Sequence, residues 1–124
     1  MAWLSLMSVL QLVVGVGLLN VWLVRPKSAT AYRGGGASSL REEFAVYGLP
    51  DAVFYVVGAL KITAAVVLIV GVWAPLPVQL AAITISGLML GALFMHVKVG
   101  DPVKKALPAA IMLVMSTAIV VYSV

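Results

Sequence analysis

Cysteine is missing from this chain of 124 residues, so no disulfide, thiolate metal ligand or thiol redox couple resides on it. Any electrons it handles must be carried by a cofactor, a quinone or a partner. Histidine occurs once, at His96. A histidine-based metal site needs several such rings, so no metal is expected. Charge is scarce as well, with eight basic and four acidic side chains. The resulting net +4 is too small, and too confined to connections, to argue for nucleic acid. There is no Ser–His–Asp nucleophile pattern, and the Gly34-Gly35-Gly36 triplet lacks the lysine motif that follows a phosphate-cradling loop. Nothing here reads as a self-sufficient catalyst.

What the chain has in excess is apolar surface: 64% of its residues are hydrophobic and mean hydropathy is +1.18. A soluble domain of this size buries too small a share of its surface to hide that. Lipid must therefore be part of the solvent. Residues 3–24, 52–73, 76–97 and 106–124 are each long enough to cross a hydrocarbon core, which takes about 20 residues. The expected fold class is an all-α membrane protein, a single domain of four transmembrane helices over residues 1–124. Its one substantial polar segment, 25–51, forms the first connection. Within it, Ser38 or Ser39 can cap a short interfacial helix over 40–47, with Glu42 and Glu43 in the first turn where the helix dipole favours them. Gly48-Leu49-Pro50-Asp51 ends that helix and starts the next span. A tight hairpin at Ala74-Pro75-Leu76-Pro77 joins the middle spans, and Gly100-Asp101-Pro102 turns between the last two.

Arg25, Lys27, Arg33 and Arg41 lie in the first connection and Lys98, Lys104 and Lys105 in the third. Seven of the eight basic side chains thus share one side, which the positive-inside rule assigns to the cytoplasm, with both termini non-cytoplasmic. Aromatic residues suggest the same frame: Trp3, Trp73 and Tyr122 for the outer interface, Trp22, Tyr55 and Phe94 for the inner one. The first apolar run has its positive flank behind it, the reverse of a secretory signal, so Ala29-Thr30-Ala31 is not read as a cleavage site.

The eighth basic residue is Lys61, in the middle of the second span, where a charge costs a few kcal/mol or more. Counted from the cytoplasmic ends at about 1.5 Å per residue, Lys61 lies roughly 15 Å deep, Ser86 and Ser116 about 16 Å and Gln11 about 20 Å. One polar residue from each span therefore falls in a shared slab. The expectation is a buried polar layer of Lys61, Gln11, Ser86 and Ser116; the competing reading is a lysine that snorkels while the hydroxyls bond to their own helices. By the same count Asn20, Tyr55 and His96 lie within about 6 Å of the inner boundary, candidates for a ligand contact or proton relay. Tyr47, Asp51, Asp101, Glu42 and Glu43 lie below them. Gly87 and Gly91 have the spacing that lets membrane helices approach closely, either inside the bundle or at a partner face.

From about Glu43 onward, Tyr47-Gly48-Leu49-Pro50, Val57-Gly58-Ala59-Leu60-Lys61 with Gly71, Met89-Leu90-Gly91-Ala92, His96 and Gly100-Asp101 resemble the DoxX and DoxX-like family of small four-helix membrane proteins. The resemblance implies an integral membrane protein of a group in which some members are linked to quinone-dependent sulfur oxidation or membrane-bound oxidoreductases. Distant animal relatives look like assembly factors for membrane receptors. Many DoxX proteins carry Glu where Lys61 stands, and DoxX-like ones carry Lys. Two functions follow as expectations. One is a non-catalytic accessory or assembly subunit of a larger membrane complex, or a homo-oligomer. The other is a quinone-associated oxidoreductase subunit using Lys61 or His96. A transporter is disfavoured because no span is visibly broken.

Overall fold

The computed structural model describes residues 5–24 and 34–123. Trp3, the basic residues Arg25, Lys27 and Arg33, and the triplet at 29–31 lie outside the described residues. Five α-helices follow one another: α1 (Leu6–Leu19), α2 (Leu40–Val46), α3 (Asp51–Val70), α4 (Val78–Lys98) and α5 (Val103–Tyr122). The last turn of α1 widens into a π-helix over Asn20–Val24, which completes the first span. The fold is thus an all-α membrane protein with four apolar helices long enough to cross a bilayer and one short helix, α2, in the first connection.

Local chemistry sets the boundaries. Ser5 caps α1 by accepting the backbone N–H of Ser8, and Ser39 caps α2 by accepting that of Glu42. Helices α3, α4 and α5 each start directly after a proline, Pro50, Pro77 and Pro102. Proline presets φ near −65° and has no N–H to leave unsatisfied where a helix begins. For this reason α5 starts at Val103 rather than Ala106; the hairpin between α3 and α4 is wider than Ala74 to Pro77 because α3 already ends at Val70, with Gly71 as its C-cap.

The four spans close into a ring in which α1 touches α3 and α5, and α4 touches α3 and α5. Neighbours round the ring are antiparallel. One end of the bundle holds the α3–α4 hairpin; the other, the basic end, holds α2 and the turn between α4 and α5. The core is small and tight, with Val14, Leu68, Ile85 and Ile119 fully buried and alanines 64, 65, 81 and 82 letting the helices approach. Large apolar side chains on every span, Val16, Leu60, Leu80 and Val114 among them, face outward, as a protein solvated by lipid tails requires.

A second cluster forms at the basic end around Trp22, Leu40 and Phe44. Trp22 is 7% exposed, so it is a core residue and not the interfacial marker its position suggests. Tyr55, Phe94, Trp73 and Tyr122 do face outward. The indole of Trp22 lies against Gly58, where an added Cβ would come within 2.6 Å of the ring. Gly58→Val is therefore expected to destabilise the bundle by about 1–3 kcal/mol through overpacking. Gly87→Ala, which meets open space, should leave stability unchanged or slightly raised. Thermal unfolding in mild detergent checks both.

Candidate functional site

Helix polarity decides where the polar side chains of the spans go. A Cα–Cβ bond leans toward the N-terminus of its own helix. The N-terminus of α3 is at the basic end and that of α1 at the hairpin end, so Lys61 and Gln11 lean apart. Gln11 Nε2 donates to the backbone carbonyl of Leu68 at 2.9 Å, toward the hairpin end. Lys61 Nζ lies 5.5 Å from the centroid of the Trp22 ring, toward the basic end, and Glu43 is the acidic group that acts on it. Ser86 Oγ and Ser116 Oγ pair with each other at 2.8 Å between α4 and α5. Among the described residues no hydrogen bond joins Lys61 to Gln11, Ser86 or Ser116. The expected single layer is instead three separate contacts at three depths.

The second expected cluster also sorts differently. Tyr55 is 60% exposed, with the Arg41 guanidinium 6.0 Å above its ring. Asn20 is half-buried where α1 passes into its π-turn, its backbone N–H bonded to carbonyls of the preceding turn. Neither reaches His96. The partners of His96 come from α2 and from the α4–α5 turn.

His96 is buried near the end of α4. Its Nδ1 is 2.8 Å from Asp101 Oδ2 and its Nε2 is 3.4 Å from Tyr47 Oη. Tyr47 Oη in turn donates to Glu43 Oε1 at 2.9 Å. Gly100, with φ of 72°, takes the left-handed turn that folds Asp101 back onto His96. The other oxygen of Asp101 accepts the backbone N–H of Gly35 at 2.9 Å and faces Lys105 Nζ at 3.9 Å. Lys98 Nζ donates to the carbonyl of Tyr47 at 3.3 Å. The side chains of His96 and Asp101 are 7% and 5% exposed. The first connection, α2, α4 and the α4–α5 turn are thereby tied at one point. Spacing along the chain placed His96 near Tyr47, Glu43 and Asp101 but not Gly35, whose only signal was the glycine triplet.

Burial alone would raise the Asp101 carboxyl. The Gly35 N–H, His96 and Lys105 outweigh it and hold this acid below its ordinary value of 3.8. Asp101 is therefore ionised, and the proton between it and His96 lies on Nδ1. The Tyr47 hydroxyl donates to Glu43, and His96 Nε2 faces the same phenolic oxygen at 3.4 Å.

The four apolar spans define the class, a four-helix membrane bundle, here with a buried tyrosine–histidine–aspartate tie at its basic end. The DoxX-like family model matches residues 28–119, and the chain belongs to that family. No curated protein matches it, and neither does any solved structure.

The depressed Asp101 acid sets a pH dependence. Because its folded value lies below the unfolded one, its contribution to stability is complete above the ordinary aspartate value of 3.8 and is lost as pH falls below that. The stability difference between the wild type and Asp101→Asn should shrink as pH falls below the ordinary aspartate value. Melting temperatures of the two proteins across pH check this.

Proposed function

We propose that this DoxX-like protein is a non-catalytic accessory or assembly subunit of a larger membrane complex, lying with its basic end in the cytoplasm and both termini outside. The orientation rests on Arg41, Lys98, Lys104 and Lys105, all at the end opposite the α3–α4 hairpin. One observation carries the function. Gly87 and Gly91, one turn apart in mid-α4, face outward, and a Cβ added at either meets nothing within 4 Å. They therefore do not pack α4 against its own bundle, as one reading of their spacing expected. A lipid-facing helix gains nothing from glycine, which costs about 1 kcal/mol per site relative to alanine. A notch between Ile83, Leu90 and Phe94 does suit the close approach of another transmembrane helix.

The test is a paired substitution of Gly87 and Gly91 by leucine, with purification from native membranes in mild detergent. The wild type should carry another membrane protein at fixed stoichiometry, and the double variant should lose it while its own melting temperature is unchanged. A wild type that purifies alone, or a partner retained by the double variant, would refute the docking role.

A second reading, a quinone-associated oxidoreductase subunit, draws on the run from Lys61 past Glu43 and Tyr47 to His96, which has the components of a proton relay. It gains ground over the first if the same preparation shows quinone-dependent turnover that His96→Gln abolishes.

A further inference from the structure

Between the π-turn of α1, the cap of α2 and the first half of α3 lies a cavity of about 480 Å³. Small-molecule sites run from roughly 300 to 1,000 Å³. Its walls are apolar and include Trp22, Gly58, Ala59 and Ile62, while its polar residues, Ser39, Arg41 and Tyr55, gather at one end. That end is at the first turns of α3, where the span meets the membrane boundary. From Tyr55 to Ile62 the groove runs roughly 10 Å along α3 toward the bilayer interior. It is polar at the boundary and apolar below, the gradient of a lipid molecule standing in its own leaflet.

The polar end carries both signs of charge. Arg41 Nε and Nη2 hold the two oxygens of Asp51 at 3.2 and 2.6 Å, and the two side chains are 57% and 62% exposed. Three donor groups line that end: the other guanidinium N–H groups, the hydroxyl of Ser39, whose oxygen already accepts from the Glu42 N–H, and the phenol of Tyr55 beneath Arg41. These suit a phosphate. The outer lone pairs of Asp51 suit a cation that has N–H to give. A purely anionic headgroup meets the Asp51 charge, and a quaternary ammonium has no hydrogen to donate to it.

We propose that this groove holds one phospholipid with a zwitterionic, primary-amine headgroup. Its phosphate lies against Arg41, Ser39 and Tyr55, its ammonium against Asp51, and one acyl chain runs along Trp22 and Ile62. Annular lipid slides past a helix; a lipid held at both charges and in a walled groove is retained at one per chain.

The full-length chain, delipidated in mild detergent, is titrated separately with dioleoyl phosphatidylethanolamine, phosphatidylcholine and phosphatidylglycerol, and bound lipid is counted by native mass spectrometry. Phosphatidylethanolamine should saturate at one per chain and bind roughly tenfold tighter than either other lipid, the worth of one charge-assisted hydrogen bond. Ala59→Phe, at an exposed wall position outside the Trp22–Gly58 contact, should abolish that binding. Asp51→Asn should remove the preference over phosphatidylglycerol, and it carries the test alone if the phenylalanine variant does not fold. Equal retention of the three lipids, preference for phosphatidylglycerol, no saturable adduct, or phosphatidylethanolamine binding unaffected by both variants would overturn the assignment.

Discussion

Inside hydrocarbon no water is available to satisfy a polar side chain, so each one must find a partner within the protein or reach for the boundary. Which way it reaches is set by the polarity of the helix that carries it. This constraint organises the molecule. Among the described residues no fully buried side-chain nitrogen or oxygen is left without a partner. Gln11 on α1 turns to the carbonyl of Leu68, the serines of α4 and α5 turn to each other, and Lys61 on α3 reaches the face of Trp22.

The bend of Lys61 gives the basic end its character. The ammonium lies by the Trp22 face, where cation–π attraction replaces part of its lost hydration. Glu43, whose charge acts on the ammonium from α2, is also the acceptor for the Tyr47 hydroxyl. The same carboxylate thus serves the lysine on one side and the His96–Asp101 tie on the other. Packing reinforces the chemistry. Gly58 lets the indole lie against α3, Phe44 and Phe54 meet it at 5.9 and 5.2 Å, and α2 is thereby held over the mouth of the bundle.

The four spans and the short α2 were legible from the sequence because hydropathy, proline and serine caps act locally. The company His96 keeps was legible only in part: Tyr47, Glu43 and Asp101 were counted just below it at the same boundary, whereas Asn20 and Tyr55, counted beside it, do not reach it. Counting failed for side chains long enough to leave their own level. Lys61 was placed by its Cα depth, yet its ammonium lies further toward the basic end, and Gln11 departs the other way. Facing was illegible as well. Trp22 turned inward because the π-turn and Gly58 admit it, whereas Gly87 and Gly91 turned outward although their spacing suits packing inside a bundle equally well. Rotation about a helix axis is fixed by neighbours, and an almost uniformly apolar helix carries little record of it.

The central claim is that Lys61 belongs with Glu43 at the basic end and not with Gln11 at mid-depth. A double-mutant cycle on thermal unfolding measures it directly, pairing Lys61→Met with Glu43→Gln and, separately, with Gln11→Leu. The account predicts that the first pair is coupled by about 0.5 kcal/mol or more and that the second pair is additive. Additivity with Glu43 together with coupling to Gln11 would contradict it and restore a shared central layer.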